Sequence, residues 1–383
     1  MKINIIVAGR FHVEQLSRIL IGDNHDVKIY SSSPGYLFPK SIQSNVFFVP
    51  MPFQIVRKVF KVQIPDFLRN FDLFIFDLLV SLLMRKPDVI YGFASTSLIC
   101  GRKYKNSYYV LDRACPHITF QNKILENESR NLQLPFKKEN SANTKRALAE
   151  YAAADAIFVP SIYSSNSFQE HQSLSDKIYI THLGCNGNFQ YSANLNEHFT
   201  IGFIGENPLR KGLIYLLRAS QKCSTEDYKF LLRTNLDQFK DHEETQSIIS
   251  NKNIDLLDYL ENIEDFYNAC DIVCLPSIDE GWGMVTLEAL AHGKPIIVTT
   301  NVGSSSLIKN NFNGFVIEPF SDIAITEKIS LLANDPELTK NMQHNAKASY
   351  DAFLSSDESY EKKISSYFNK LSINMQRQDF HES

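Results

Sequence analysis

The chain has 383 residues, which is too long for one ordinary hydrophobic core and favours two domains. Its 44% hydrophobic and 21% charged residues are typical of a water-soluble globular protein, and it contains no low-complexity tract or short repeat. The formal net charge of -4 argues against general nucleic-acid binding.

The chain begins with a pattern typical of a Rossmann-like domain. Lys2 to Ala8 predicts a β-strand, Gly9 to His12 a turn, and Val13 to Leu20 a helix with apolar residues at helical spacing. Gly9 therefore lies at the carboxyl end of a parallel strand, where open α/β sheets bind their ligands. A glycine there has two interpretations, a requirement of the turn itself or a close approach to a ligand.

Residues 51–86 combine apolar and basic side chains. The run from Phe71 to Met84 has only Asp72 and Asp77 as charges, and its fourteen residues are too few to span a bilayer. One interpretation is an interior helix that covers the sheet. The other is a basic, apolar face that makes peripheral contact with an anionic membrane. The basic residues are Arg57, Lys58, Lys61, Arg69, Arg85 and Lys86.

A second candidate loop follows the predicted strand Tyr108 to Leu111. It contains Asp112 and His117, and His117 is the candidate polar group of this domain, although a lone histidine is more often structural. Cys115 lies two residues away, yet no second pair of ligands supports a metal site. The polar residues 126–146 predict a mobile insertion, and Ala156 to Pro160 predicts the next buried strand.

The second half repeats the opening pattern after a polar linker at 190–198. Thr200 to Gly205 predicts a strand, and Lys211 with Gly212 opens a helix, a combination that favours anion binding. Near the end of the chain, Tyr350 to Leu371 predicts one terminal helix. The six cysteines follow neither a zinc spacing nor a disulfide-dense pattern, and no secretory signal is visible, so we expect reduced thiols in a cytoplasmic protein.

The stretch from Asp271 to Pro319 carries the densest signal. It predicts a buried strand over Ile272 to Leu275, a loop with two glycines, and a helix over Met284 to Ala291. The helix N-terminus favours an anion such as a pyrophosphate. Glu280 and Glu288 would be about 12 Å apart on one helix, which is too far for both carboxylates to act on one glycosidic bond. We therefore expect one carboxylate near each end of an elongated ligand that carries sugar hydroxyls.

The run from Pro276 to Pro295 resembles the signature of the retaining glycosyltransferases of family 4, within the group 1 glycosyltransferases. Glu280 and Glu288 fall on the family's paired glutamates, and Asn313 to Phe315 matches its following segment. The resemblance implies a GT-B fold: two Rossmann-like α/β domains with a cleft between them and a C-terminal helix that crosses back to the first. It also implies transfer from a nucleotide sugar without a required metal, so no metal or other cofactor is expected.

The resemblance further implies roles for individual residues. The first glutamate and the adjoining backbone would hold the donor sugar, the second glutamate would bind the ribose, and the Gly9 backbone and a histidine near His117 would face the donor. The predicted catalytic residues are Glu280, His117 and Lys211. The predicted donor-binding residues are Gly9, Arg210, Lys211, Glu280, Gly281, Trp282, Gly283, Met284, Val285 and Glu288.

Two positions depart from the family pattern. Ser306 stands where the family often has a glutamate, and Glu206 stands where it often has an arginine. Arg210 is the nearest cation that could offset the second departure, because its forked donors suit phosphate oxygens. The alternatives are that Arg210 points to solvent or pairs with Glu206.

The sequence thus predicts a glycosyltransferase with an acceptor domain at 1–190, joined by 356–383, and a donor domain at 199–355. The expected partners are a UDP- or GDP-sugar and a glycan or lipid-linked acceptor. The expected location is the cytoplasm, with the inner face of the membrane as the place of any peripheral contact. A nucleotide-sugar epimerase of related fold and a non-catalytic binding protein with a decayed site are the alternatives.

Overall fold

The computed structural model of the protein describes residues 1–60, 64–135, 141–185, 189, 197–223, 227–257 and 262–382. These residues form two parallel β-sheets, each covered by helices. The strands of the first sheet are β1 (Lys2–Val7), β2 (Asp26–Ser31), β3 (Val46–Phe48), β4 (Val89–Phe93), β5 (Tyr108–Asp112), β6 (Ala156–Val159) and β7 (Ile178–Ile180). Those of the second are β8 (Phe199–Gly205), β9 (Tyr228–Thr234), β10 (Ile254–Leu257), β11 (Ile272–Leu275), β12 (Ile296–Thr299) and β13 (Gly314–Ile317).

Both sheets have doubly wound strand orders, β3-β2-β1-β4-β5-β6-β7 and β10-β9-β8-β11-β12-β13. All the strand pairs are parallel, as the continuous apolar runs predict, because helices bury both faces of such sheets. In β11 every residue is buried. Strand order reverses between β1 and β4 in the first sheet and between β8 and β11 in the second, and ligands of such sheets bind at this kind of switch point.

Helices alternate with the strands. In the first half they are α1 (Val13–Gly22), α2 (Pro52–Phe60), α3 (Asp66–Leu83), α4 (Leu98–Lys103), α5 (Ile118–Asn131), α6 (Ser141–Ala153) and α7 (Ile162–Asn166). In the second half they are α8 (Leu213–Lys222), α9 (Glu243–Ile249), α10 (Ile263–Ala269), α11 (Met284–Ala291), α12 (Asp322–Asn334), α13 (Pro336–Ser355) and α14 (Tyr360–Glu382). None of the described helices combines the length and the apolar character needed to cross a bilayer.

The C-terminal helix α14 crosses back to the first sheet. Its buried residues Ile364 and Phe368 belong to the same core as Ile3 and Leu16. The hydroxyls of Tyr108 and Tyr367 lie 2.9 Å apart and join β5 to the helix. The predicted two-domain fold with a returning helix is therefore confirmed.

Three predictions about local structure need correction or fall outside the described residues. The terminal helix is broken at 356–359, because Ser356 turns to extended backbone and small polar residues compete with helical hydrogen bonding there. Much of the predicted insertion at 126–146 is helical, since α5 runs to Asn131 and α6 starts at Ser141. Most of the predicted linker, 190–196, lies outside the described residues.

The helix predicted around 71–84 covers the sheet with one face only. Phe76 and Val80 of α3 are fully buried. Phe67, Phe71, Phe74, Leu78 and Leu82 of the same helix are between 38% and 68% exposed. The interpretation as an interior helix therefore holds for the buried face of α3 and does not explain its exposed apolar face.

Candidate functional site

The loop between β11 and α11 is held like an extra strand. The Glu280 N–H donates to the carbonyl of Asn301 at 3.0 Å, and the Glu280 carbonyl accepts from Gly303 at 2.9 Å. Gly283 then takes a left-handed conformation, with φ at +90°, immediately before α11. An L side chain rarely adopts this φ, so the turn that aims the loop at the helix N-terminus depends on glycine.

The turn between β8 and α8 docks directly on this loop. The Ile278 N–H donates to the carbonyl of Arg210 at 2.9 Å. Gly212 starts α8 with φ at +68°, and a Cβ atom added to it would lie 2.0 Å from the carbonyl oxygen of Pro276. This close approach brings the side chains of Arg210 and Lys211 to the Glu280 loop.

Arg210, Lys211 and Glu280 form an ion cluster in which Lys211 and Glu280 are buried and Arg210 is half-buried. Glu280 Oε2 lies 2.7 Å from Arg210 Nη1 and 2.5 Å from Lys211 Nζ. Burial raises the pKa of Glu280, but the two cations outweigh burial and hold this pKa below its usual range. The cluster therefore carries two positive charges against one negative charge beside the N-terminus of α11, and this arrangement favours a phosphate group.

Glu288 lies within α11, four residues after the first residue of the helix. Its Oε2 accepts a hydrogen bond of 2.6 Å from the Tyr267 hydroxyl. The Tyr267 ring stacks on His292, whose Nδ1 lies 2.7 Å from the Glu288 carbonyl. The partly exposed Glu288 carboxylate thus has a fixed orientation before any ligand binds.

The Glu280 loop also contacts the first domain. The Gly281 carbonyl accepts hydrogen bonds from Ser161 at 2.7 Å and from Ser164 at 3.2 Å. A Cβ atom on Gly281 would lie 2.3 Å from the carbonyl oxygen of Ala114. The loop therefore reaches the carboxyl edge of the first sheet, and glycine is required for the closeness of the contact.

Asp279 makes the same contact with its side chain. Its carboxylate accepts from Gln121 Nε2 at 2.6 Å and from the Tyr163 hydroxyl at 2.9 Å, both in the first domain. Burial raises the pKa of Asp279, and these two hydrogen bonds oppose the rise only in part. The two domains are thus joined beside the ion cluster by polar groups that have little access to water.

His117 lies behind this contact rather than in the ion cluster. It is the N-cap of α5, its Nδ1 lies 2.8 Å from Thr119 Oγ1, and its ring is fully buried against His171 and Phe168. Burial, then the neighbouring His171 and Arg113, lowers its pKa to about 3. The imidazole is therefore neutral, and its predicted role in catalysis stays a prediction.

The other predicted donor-binding residues surround the loop or face it. Gly9 has φ at +140°, and its carbonyl accepts from Ser31. The Trp282 ring packs on His182 at 4.8 Å and is 1% exposed, so only its backbone is placed to meet a ligand. Met284 and Val285 form the first turn of α11.

The two departures from the family pattern have different surroundings. Glu206 is 70% exposed and pairs with Arg233 at 2.7 Å, not with Arg210. Arg210 is directed into the ion cluster, so the alternatives in which it points to solvent or pairs with Glu206 are wrong. Ser306 lies in the short 3-10 turn Gly303–Leu307, and its hydroxyl reaches the Gly303 carbonyl at 3.4 Å.

Sequence reasoning missed the first-domain residues that hold the Glu280 loop. Ser161 and Tyr163 follow β6 at its carboxyl end, the same position that singled out Gly9 and His117, so the signal was present. It also did not bring together His12, after β1, and Asp112, the last residue of β5. Asp112 Oδ2 lies 2.7 Å from His12 Nε2 and accepts from the Tyr91 hydroxyl at 2.6 Å.

No group of three or more His, Cys, Asp or Glu side chains within the described residues could hold a metal ion. The sequence profile of the family described as glycosyl transferases group 1 matches residues 188–349. This range contains Arg210, Lys211, Glu280 and Glu288.

Curated proteins with related sequences are named as glycosyltransferases. The capsular polysaccharide biosynthesis glycosyltransferase CapM of Staphylococcus aureus is 26% identical over 238 residues, which cover 57% of this chain and 63% of CapM. A Campylobacter jejuni protein is 27% identical over 161 residues, 41% of this chain and 45% of that protein. It is named as a GalNAc-alpha-(1->4)-GalNAc-alpha-(1->3)-diNAcBac-PP-undecaprenol alpha-1,4-N-acetyl-D-galactosaminyltransferase.

Among solved structures, Anabaena HepE in complex with UDP matches with a TM-score of 0.68 at 15% identity, over 98% of this chain and 100% of that chain. This likeness concerns the fold. The aligned stretches cover less than two thirds of the length of both curated relatives. Residues 188–349, in the second domain, thus match the group 1 glycosyl transferases, and the two parallel-sheet domains with a returning helix have the GT-B fold.

Proposed function

We propose that this protein is a glycosyltransferase that moves a sugar from a nucleotide-sugar donor to a glycan or lipid-linked acceptor. The observation that carries the proposal is the ion cluster of Arg210, Lys211 and Glu280 at the N-terminus of α11. A nucleoside diphosphate leaving group carries its negative charge on the phosphates, and this cluster is the part of the described chain that best complements it.

In the proposed reaction the bond between the anomeric carbon and the diphosphate oxygen breaks, and its electron pair leaves with the diphosphate. An acceptor hydroxyl oxygen forms the new bond, and its proton passes to a phosphate oxygen or to water. Lys211 and Arg210 would exchange part of their pairing with Glu280 for phosphate oxygens. The Glu280 carboxylate would then be available to accept hydrogen bonds from the donor sugar.

Glu288 supports an elongated donor in the same proposal. Its carboxylate is oriented by Tyr267 and lies on α11, away from the ion cluster, so it would accept hydrogen bonds from the ribose hydroxyls. The Gly9 backbone would face the donor phosphates from the first domain. His117 would act as a positioning residue, because it caps the helix that follows the loop in contact with Gly281.

The contact between the domains supports transfer over hydrolysis. Ser161, Ser164, Gln121 and Tyr163 hold the Glu280 loop against the first domain beside the proposed donor site. Closing this edge around a bound donor would exclude water from the reacting carbon. The resemblance to family 4 adds retention of the anomeric configuration and independence of metals to the proposal.

The chemistry of the partners is also part of the proposal. HepE was solved with UDP, which supports a UDP-sugar as the first donor to examine, with GDP-sugars second. The Campylobacter jejuni relative is named for a substrate on undecaprenyl diphosphate, which supports a lipid-linked acceptor. Such an acceptor would require peripheral contact with the inner face of an anionic membrane.

Calorimetric titration of UDP, GDP and the matching nucleosides tests the donor site. We expect saturable binding of one of the two diphosphates. Lys211→Ala should weaken the binding of this diphosphate far more than the binding of its nucleoside. Glu288→Ala should weaken diphosphate binding by about 1 to 3 kcal/mol, because charged hydrogen bonds are lost. If no diphosphate binds, the chain is a protein with a decayed site and the proposal is wrong.

NMR of the nucleotide sugar that binds then tests the reaction. Transfer to an added glycan or lipid-linked acceptor with retained anomeric configuration supports the proposal. Isomerisation of the sugar without transfer would instead identify an epimerase.

A further inference from the structure

Helices α2 and α3 present a large apolar surface to solvent, which we name the α2–α3 face. On α2 the exposed side chains fall at helical spacing, and Val59 and Phe60 are 67% and 69% exposed. On α3, Phe67 and Leu82 are 65% and 68% exposed. The face consists of Ile55, Val56, Val59, Phe60, Phe67, Phe71, Phe74, Leu78 and Leu82.

The face is built by the helix period and is not a set of scattered exposed residues. At about 100° per residue, the five exposed positions of α3 lie within roughly 80° of one another around the helix axis. The opposite side includes the fully buried Phe76 and Val80, although Leu83, at the C-terminal end of α3, is 63% exposed. Phe71 continues the surface onto α2, because its ring lies 6.4 Å from that of Phe53 and 6.5 Å from that of Phe74.

Two buried carboxylates fix which side of α3 faces outward. Asp72 accepts from the N–H groups of Phe53 and Gln54 at 3.1 and 2.7 Å and ties α2 to α3. Asp77 accepts from the N–H groups of Ile99 and Cys100 and from Arg146. Rotating α3 to bury the phenylalanines would expose these carboxylates and break those bonds, so the exposed apolar face is a consequence of the fold.

Within 52–86, the described side chains that carry an exposed charge are all cations. Both carboxylates of 52–86 with described side chains, Asp72 and Asp77, are fully buried, whereas Arg57, Arg85 and Lys86 are exposed. Arg69 is exposed as well, but it lies about 180° from the centre of the face around α3. The chain as a whole has a net charge of -4, so this surface differs in charge from the rest of the molecule. Lys61 and the side chains of Lys58 and Asp66 lie outside the described residues.

We propose that the α2–α3 face docks on an anionic lipid bilayer, with its phenylalanine and aliphatic side chains in the boundary of the acyl region and its cations on the headgroups. Apolar area with a rim of cations is complementary to such a surface in both respects. An identical copy of the chain would bring the same cations together, and this repulsion favours lipid over self-association. The inference deepens the lipid-linked acceptor of the proposed function by naming the surface that would approach the membrane.

Flotation with vesicles tests the docking. The full chain is expected to float with phosphatidylcholine vesicles that contain phosphatidylglycerol and to float less with phosphatidylcholine alone. Phe67→Asn combined with Leu82→Asn should weaken binding at least about tenfold, because two apolar side chains are lost from the acyl boundary. The matched control is Ile323→Asn combined with Ile373→Asn, two exposed apolar positions on α12 and α14, and it should bind like the parent.

The cations are tested in the same assay. Arg57→Gln combined with Lys86→Gln should weaken binding to anionic vesicles by roughly fivefold per cation. Lys252→Gln combined with Lys340→Gln, exposed lysines of the second domain, should have no effect. A parent protein that does not float overturns the proposal, as does flotation unchanged by the Phe67 and Leu82 substitutions.

Two further measurements separate this inference from other outcomes. If light scattering shows a dimer of the parent that the Phe67 and Leu82 substitutions dissociate, and vesicles do not bind, the face is an interface between copies and the lipid proposal is wrong. Binding of UDP by the same variant should equal that of the parent, because the face is separate from the ion cluster. The docking proposal can therefore fail in the flotation assay while UDP binding supports the proposed donor site, and the donor site can fail while the protein still floats with vesicles.

Discussion

At the scale of single residues, Glu280 is the carboxylate that the proposed donor site depends on. Its carboxylate is shared by Arg210 and Lys211, so its removal leaves a buried lysine and a half-buried arginine without their partner. We expect Glu280→Gln to retain or strengthen the binding of a nucleoside diphosphate, because its phosphates replace the lost anion. Transfer should slow by about tenfold or more, which corresponds to an increase of about 1.4 kcal/mol in the activation free energy. Calorimetry and turnover on the same preparation check this. Glu206→Gln is the control, since Glu206 pairs with Arg233 outside the cluster. If Glu280→Gln instead lost diphosphate binding and kept normal turnover, the role assigned to Glu280 would be wrong.

His117 allows a prediction about stability against pH. Its folded pKa of about 3 lies below the ordinary 6.5, so below pH 6.5 the unfolded chain takes up a proton that the folded chain refuses. The stabilisation is complete above pH 6.5 and declines as the pH falls towards 3, by at most about 1.4 kcal/mol per pH unit. His117→Asn retains a capping side chain but removes the titration, so its stability should fall less steeply over this range. Urea unfolding at a series of pH values measures both slopes, and parallel slopes would show that the imidazole titrates normally.

At the scale of elements, the turn between β8 and α8 is shaped by one glycine. In Gly212→Ala the alanine would have to adopt a left-handed φ, and its Cβ would clash with the Pro276 carbonyl oxygen. We therefore expect a lower melting temperature and a loss of at least about 1 to 2 kcal/mol in the free energy of unfolding. Donor binding should weaken as well, because the turn carries Arg210 and Lys211. Gly22→Ala is the matched control, since its added Cβ meets no atom within 4 Å and its φ is not left-handed. Unchanged melting of Gly212→Ala would mean that the turn relaxes without strain.

At the scale of the whole molecule, the contact between the domains links the site to the first sheet. Tyr163→Phe removes a hydrogen bond to buried Asp279, and bonds to charged groups contribute about 1.5 to 3 kcal/mol. We expect the fraction of donor lost to hydrolysis to rise relative to transfer, while diphosphate affinity changes little because the ion cluster lies in the second domain. Product analysis by chromatography measures this ratio. Tyr36→Phe, on a side chain that is 78% exposed, should behave as wild type, and an unchanged ratio in Tyr163→Phe would separate the contact from water exclusion.

Local patterns in the sequence were sufficient for much of the fold and part of the site. The strand Ile272–Leu275 and the helix Met284–Ala291 have the predicted bounds, because a continuous apolar run and a glycine-capped helix are recognisable from near neighbours alone. The single terminal helix was wrong, since its interruption at 356–359 depends on short polar side chains that the apolar period does not reveal. The cytoplasmic location, the domain limits and the individual site roles stay predictions.

By itself, the sequence determined the parallel α/β class, the two repeated openings and the run that contains Glu280 and Glu288, because these depend on residue types at short spacing. Only the tertiary structure decided which charges meet. Arg210 and Glu280 are far apart in the chain, and their pairing, like that of Asp279 with Gln121 and Tyr163, requires two loops and two domains to converge. The outward face of α3 was decided in the same way, since Asp72 and Asp77 turn inward only because α2 and α4 supply N–H groups for them. Contacts between distant residues have no signature in local periodicity, and this is the physical reason for the division.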